Sequence, residues 1–273
     1  MLRLCNLILI VRPHNVAAAV LSTAVGYSLT DSSSGPWILL AAVAVVTAAG
    51  YIINDIYDID IDRINKPHRP LPSGALSMLR VKVLYLVLVT GAIILAFSLP
   101  IFQAVWVIVW VCLLHLYSAV FKRLYLAGNL IVSSISASGF LLGAFAGGNI
   151  SVGFVPASFT FLFSMGRELV KDSEDLEGDR ACGARTIPIV SGKKTALSAA
   201  IAIFIALAFG FPLPYILGYY GKTYGLIMIS TVVPIMVAAI VLTARGRSLG
   251  MVSTMLKSGI FFGIIAFYFS SHT

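Results

Sequence analysis

The chain has 273 residues, of which 59% are apolar and only 11% charged, with a mean hydropathy of +0.97, whereas a soluble domain is about half apolar and about a quarter charged. So little polar material cannot cover a water-facing surface, which excludes a soluble enzyme, a disordered regulator and a nucleic-acid binder and leaves an integral membrane protein. The net charge of +8 then reads as basic flanks beside anionic lipid rather than as a footprint for nucleic acid.

In chain order, the short apolar run over 5–11 ends at Arg12 and Pro13 and is expected as a surface helix leading into the first span. A spanning helix needs roughly 17 to 25 mainly apolar residues. On that ruler nine candidates follow, near 14–30, 36–57, 79–99, 101–120, 126–147, 152–171, 195–219, 224–243 and 256–271. Pro100 separates the third from the fourth, and Gly210, Pro212 and Pro214 should kink the seventh. The expected fold is an all-α polytopic membrane protein of about nine transmembrane helices in a single bundle, with residues 1–273 as one domain. Cys5, Cys112 and Cys182 form no CxxC or Cys/His cluster, so neither a disulfide framework nor a zinc site is expected.

The connections alternate. Those on one side are minimal, at 31–35, Pro100, 148–153 and 220–223; those on the other are long and polar, at about 58–80, 121–125, 172–194 and 244–257. Every Lys and Arg except Lys222 falls with the long connections, so these should face the cytoplasm, with the N-terminus inside. Every Asp and Glu except Asp31 falls there too, and the positive-inside rule does not account for acids.

The acids form two clusters of equal spacing. NDIYDIDID over 54–62 closes the second span and KDSEDLEGD over 171–179 closes the sixth. Each places aspartates at i, i+3 and i+7: Asp55, Asp58 and Asp62, then Asp172, Asp175 and Asp179. On a straight helix each trio lies within about 60° of arc, with Asn54 beside Asp58 and with Asp60, Glu174 and Glu177 turned away. Three carboxylates on one stripe repel each other, and the negative end of the helix dipole worsens it. A cation between the stripes answers both problems, and hard oxygen ligands suit Mg²⁺ shared with a diphosphate. A solvated acidic loop that happens to repeat is the plain alternative; equal spacing at two equivalent helix ends argues against it.

These residues carry a resemblance. The run over 54–62 matches the NDxxDxxxD motif of the UbiA superfamily of intramembrane aromatic and lipid prenyltransferases, and 172–179 matches its second motif, DxxDxxxD. NKPHRPLPSG over 65–74 is similar to the stretch that follows the first motif there. Within the superfamily, RELVKDSEDLEGD over 167–179, Gly128 with Asn129, and RPHN over 12–15 look most like the archaeal digeranylgeranylglyceryl phosphate synthases. Chlorophyll synthases share much of 65–74 but approach the second motif differently. The family's Tyr-xxx-Lys element has no exact counterpart, since Tyr117 and Lys122 stand five apart.

The resemblance implies a nine-helix bundle in the cell membrane with both motifs at the cytoplasmic side. It implies Mg²⁺-dependent transfer of a prenyl group, geranylgeranyl, from a prenyl diphosphate to a lipid acceptor, geranylgeranylglyceryl phosphate, for archaeal ether lipids. Asp55, Asp58, Asp62, Asp172, Asp175 and Asp179 would be the catalytic metal ligands, directly or through water, with Asn54 beside them. Arg69, Lys122 and Lys171 are candidates to neutralise the diphosphate, each with a membrane-flanking charge as its alternative. Arg12 and Asn15 at the start of the first span, and Tyr117, are further substrate-binding candidates. An acceptor bearing phosphate would call on extra basic residues such as Arg123, Arg167 and Arg180. Gly139, Gly143, Gly147 and Gly148 either line a tunnel for the prenyl tail or allow close helix packing. His115 reads as a packing residue, and Trp106 and Trp110 as lipid-facing. Competing readings are an aromatic acceptor, as in quinone or chlorophyll-type biosynthesis, and a divalent-cation transporter, whose acids should extend across the membrane rather than gather at one side. A CDP-alcohol phosphotransferase would show one DGxxAR…GxxxDxxxD stretch, which the chain lacks.

Overall fold

The computed structural model describes residues 2–246 and 248–270. In chain order the helices are α1 (Leu2–Val11), α2 (Pro13–Ser28), α3 (Trp37–Tyr57), α4 (Ile59–Asn65), α5 (Met78–Ala96), α6 (Ile101–Ala119), α7 (Ala127–Ala146), α8 (Phe154–Glu174), α9 (Leu176–Ala181), α10 (Ile187–Val190), α11 (Lys193–Gly210), α12 (Leu213–Ile216), α13 (Lys222–Ile227), α14 (Val233–Ala244) and α15 (Leu249–Tyr268), with no strand among the described residues. Among the described residues eight segments are long and apolar enough to cross a membrane: α3, α5, α6, α7, α8 with its lead-in from Ile150, α11 with α12, α13 with α14, and α15. The expected first span is α2, which at 16 residues is about 24 Å long and shorter than those eight. It packs along α7 and α3. The expected end of the last span at 271 lies outside the described residues.

The short run before Arg12 is indeed helical, and the seventh span breaks where Gly210 and Pro212 stand, α12 restarting at Leu213. One connection differs from expectation. The segment over 244–257 is not a long loop, because α15 begins at Leu249 and carries Lys257 inside it. A lone charge looks like the edge of a span in sequence, whereas a helix can hold it wherever it faces polar groups rather than lipid.

Three apolar clusters hold the bundle. The largest joins α7, α8, α11 and α13 to α15 around Phe140, Phe204, Tyr224, Met236 and Leu256. A second joins α3, α6 and α7 around Val43, Val107 and Leu142. The third sets Ile10 of α1 against Ile52, Leu71, Leu76 and Val81, so α1 and α5 grip the connection over 66–77 and fix the place of Arg69. The outer faces stay apolar, Leu79, Phe97, Ile101 and Phe102 all being exposed, as lipid contact requires. The glycines of α7 serve packing: a Cβ on Gly143 would strike the backbone of Thr23 and Tyr27, and one on Gly26 the backbone of Phe140. Helices α2 and α7 therefore cross at backbone contact.

Candidate active site

Both acidic segments break at their middle aspartate. Asp58 closes α3 and opens α4 with φ −91° and ψ 1°; Asp175 closes α8 and opens α9 with φ −84° and ψ 7°. The backbone bonds match as well: Asp58 N–H donates to Asn54 O and Asp62 N–H to Asp58 O, at 2.9 and 2.7 Å, and Asp175 N–H donates to Lys171 O and Asp179 N–H to Asp175 O, at 2.9 and 3.1 Å. A straight stripe was the expectation, and electrostatics explains the departure. The break moves Asp60 and Asp62, and Glu177 and Asp179, from the negative end of a long helix into the first turn of a short one, where the dipole favours acids.

The short helices α4 and α9 meet across the site. Asn65, at the end of α4, donates from Nδ2 to Asp175 O at 2.9 Å and accepts at Oδ1 from Gly178 N–H at 3.1 Å. One cavity lies beneath, lined by Asn54, Asp58, Asp62, Asp172, Asp175, Asp179, Arg69, Lys122, Lys171, Tyr117 and Arg12. Asp55 does not line it. It is 4% exposed, bonded to Arg12 and 3.7 Å from Arg69. Asn15 lies outside the cavity. His115 is held by the Tyr85 hydroxyl at 3.0 Å, and Trp106 and Trp110 line an apolar groove between α6 and α7, both apart from the cavity.

Sequence reasoning missed Lys66, Asn129 and Glu168 as members of the site, and had Arg123 and Arg167 only as extra basic candidates. Lys66 places Nζ 2.6 Å from Asp175 Oδ1, crossing from the first acidic segment to the second. Asn129 donates to Asp172 Oδ2 at 2.8 Å. Arg123 lines the cavity, and Glu168, 5% exposed, takes bonds from Arg167 at 2.8 Å and Lys171 at 3.1 Å. Lys66 and Asn129 stand within stretches that carry the family resemblance, which was the available signal.

Most motif carboxylates face a cation here. Lys122 bonds Asp58, which also accepts from Asn54 Nδ2 at 2.7 Å, and Arg69 Nη1 bonds Asp62 at 2.6 Å. Burial raises the Asp62 pKa against the pull of Arg69. For Arg69, burial works against the charge, but Asp62 and Asp55 together outweigh it and hold the guanidinium above its ordinary value. Asp172 and Asp179 are different: neither makes an ion pair among the described residues. Burial, then the charge of Asp175, pushes the Asp179 carboxyl up to about 6. No three acidic, imidazole or thiol groups among the described residues converge tightly enough to cage a metal. Spread hard oxygens with two carboxylates lacking a cation fit an ion that takes few protein ligands and fills its shell with water and phosphate, as Mg²⁺ does.

A helical membrane bundle with two matched acidic breaks over a basic-lined cavity is the architecture of a membrane prenyltransferase, and the chain matches the UbiA prenyltransferase family over residues 19–265 and belongs to it. It is 38% identical over 280 aligned positions to digeranylgeranylglyceryl phosphate synthase of Methanoregula boonei, covering 96% of both chains. It is 36% identical to the synthase of that name from Sulfolobus acidocaldarius, over 77% of this chain and 78% of the other. A solved structure concerned with digeranylgeranylglyceryl phosphate synthase in membranes superposes with a TM-score of 0.72 at 31% identity, over 99% of each chain. A UbiA homologue from Archaeoglobus fulgidus, solved with GPP and Mg²⁺, shares the fold with a TM-score of 0.69 at 16% identity, over 95% of this chain and 99% of the other.

Proposed function

We propose that this protein, acting as a single domain, transfers a geranylgeranyl group from geranylgeranyl diphosphate to geranylgeranylglyceryl phosphate, with Mg²⁺, to give digeranylgeranylglyceryl phosphate. The observation that carries the chemistry is the pair of broken acidic helices facing each other over one cavity. The relatives of that name support the acceptor. The Lys and Arg content of the long connections supports a site at the cytoplasmic side.

Mg²⁺ held among Asp58, Asp62, Asp172, Asp175 and Asp179, with Asn54 beside them, would serve as Lewis acid and template for the diphosphate oxygens. Asp55 acts from behind the wall by holding Arg12. Lys66, Arg69, Lys122 and Lys171 reach into the same space and neutralise the diphosphate. The allylic C–O bond breaks with its electron pair leaving on diphosphate, and the delocalised carbocation is then electrophilic enough for an alcohol. The acceptor oxygen forms the new C–O bond, and its proton passes to a carboxylate of the cavity or to the departing diphosphate.

The test uses purified protein with radiolabelled geranylgeranyl diphosphate and Mg²⁺. One tube holds geranylgeranylglyceryl phosphate, another 4-hydroxybenzoate, each with an EDTA control. A phosphate-bearing diether that disappears with EDTA is the expected result. Product only from the aromatic acceptor would move the enzyme to quinone-type synthesis; no diphosphate release in either tube would mean an acceptor other than these two, or reopen the cation-transporter reading.

A further inference from the structure

A second concentration of positive charge lies beside the aspartate cavity and has no part in the chemistry above. Arg167 stands seven residues before the end of α8, and Lys257 is the ninth residue of α15. Each is therefore about 10–12 Å along the axis from its helix end, among apolar turns. His14 lies in the first turn of α2, whose N-cap is Arg12. Helix α15 packs against both α8 and α2, which brings Lys257, Arg12 and Arg167 within electrostatic reach of His14, and Arg167, Arg12 and Lys66 within reach of Lys257. Of these groups Arg12 and Lys66 line the aspartate cavity, whereas Arg167, Lys257 and His14 do not.

The acids nearby do not balance this charge. Glu168 binds Arg167 but shares itself with Lys171. Glu174, whose Oε1 lies against Gly250 of α15, acts on Lys257 less than any of the surrounding cations does. Lys257 makes no ion pair or hydrogen bond among the described residues, and Arg167 Nε is buried without a partner. Cations at this depth are costly and persist where an anion meets them, and a buried donor without a partner calls for one.

We infer that Arg167, Lys257 and His14 bind the phosphomonoester of the lipid acceptor, in a subsite separate from the diphosphate cavity. The inference rests on the function proposed above. Two anionic substrates must lie side by side, and a single basic cavity would let them compete. Arg167 is four residues along α8 from Lys171, which lines the diphosphate cavity, a rise of about 6 Å. The acceptor's hydroxyl sits on the carbon next to the one that carries its phosphate ester, a comparable separation. Phosphate anchored at Arg167 and Lys257 therefore leaves the hydroxyl at the cavity wall. Arg12, which lines the aspartate cavity and is fixed by Asp55 and by the Tyr51 ring 5.0 Å away, would then stand between the two anions.

The experiment compares Lys257→Gln, Arg167→Gln and Lys257→Arg with wild type, in phospholipid-free micelles and in nanodiscs containing phosphatidylglycerol. Lys257 is half-buried, so its variant carries the test if Arg167→Gln fails to fold. The expected result is a KM for geranylgeranylglyceryl phosphate raised about tenfold or more in both Gln variants, with the KM for geranylgeranyl diphosphate within about twofold of wild type. Lys257→Arg should restore the acceptor KM. With geranylgeranylglycerol, which lacks the phosphate, wild type and variants should perform alike. A Lys257→Gln enzyme that still prefers phosphate to alcohol acceptor as strongly as wild type would overturn the inference. So would an effect confined to the anionic nanodiscs, which would make the cluster a site for membrane head groups. Failure of the underlying function shows separately, as wild type that does not use the phosphate acceptor at all.

Discussion

Asn65 and Gly178 are joined so that one side-chain amide spans the break in the second acidic segment, its Oδ1 taking the Gly178 N–H and its Nδ2 giving to Asp175 O. This amide sets the distance between the two halves of the site. A Cβ on Gly178 would fall 2.5 Å from Nδ2 and 2.8 Å from Oδ1 of Asn65, so the strap needs glycine there. Replacing either residue by alanine takes the partner from the Gly178 N–H, at about 1–3 kcal/mol, while Asp175 O keeps the bond from Asp179 N–H. Asn65→Ala and Gly178→Ala should each lower kcat/KM by about tenfold in protein that still elutes as a single folded species. Full turnover in both would show that the strap positions nothing.

The crossing of α2 and α7 separates two glycines that look equivalent in sequence. At Gly139 the nearest atom to an added Cβ is Thr23 Oγ1 at 3.4 Å, an ordinary contact, whereas at Gly143 it is backbone that cannot yield. Gly139→Ala should leave the thermal midpoint in detergent nearly unchanged. Gly143→Ala should lower stability by about 1–3 kcal/mol, as overpacking does, and equal midpoints for the two would contradict a backbone-contact crossing.

Much of this was legible because hydropathy and charge are read residue by residue. The apolar runs over 36–57 and 79–99 are found as α3 and α5, and the matched aspartate spacing does bring both motifs to one cavity. Helical periodicity could not show the breaks at Asp58 and Asp175, because nothing in the spacing records the dipole that favours a new helix there. Nor could it show the pairings that cross between segments, Lys66 with Asp175 and Asn129 with Asp172, which depend on how separate helices meet. Lys257 misled for the opposite reason: its charge marked a loop, and only the fold shows other basic groups around it.

Arg12 and Asp55 form an ion pair with side chains 18% and 6% exposed. A buried pair is costly to break and far less costly to remove, since Asp55→Asn leaves the Arg12 charge uncompensated and Arg12→Gln leaves Asp55 only the more distant Arg69, at 3.7 Å. Asp55→Asn and Arg12→Gln should each destabilise by about 3 kcal/mol, and the double variant should regain a good part of that. The thermal midpoints of the four proteins form a cycle. Additive losses would mean that the two side chains do not depend on each other.

Asp179 should make the metal requirement depend on pH. Its carboxyl is pushed up to about 6, so it is ionised at neutral pH and gains a proton as pH falls through that value. The proton and Mg²⁺ compete for the same oxygens. The Mg²⁺ concentration for half-maximal turnover should therefore be flat above about pH 7 and rise as pH drops below about 6, with excess Mg²⁺ recovering the rate. Diphosphate titrates in a similar range, so the difference between wild type and Asp179→Asn carries the result. The variant should need more Mg²⁺ at neutral pH and show a weaker rise on acidification. Parallel curves for the two proteins between about pH 5 and 8 would mean that Asp179 does not contribute to the metal site.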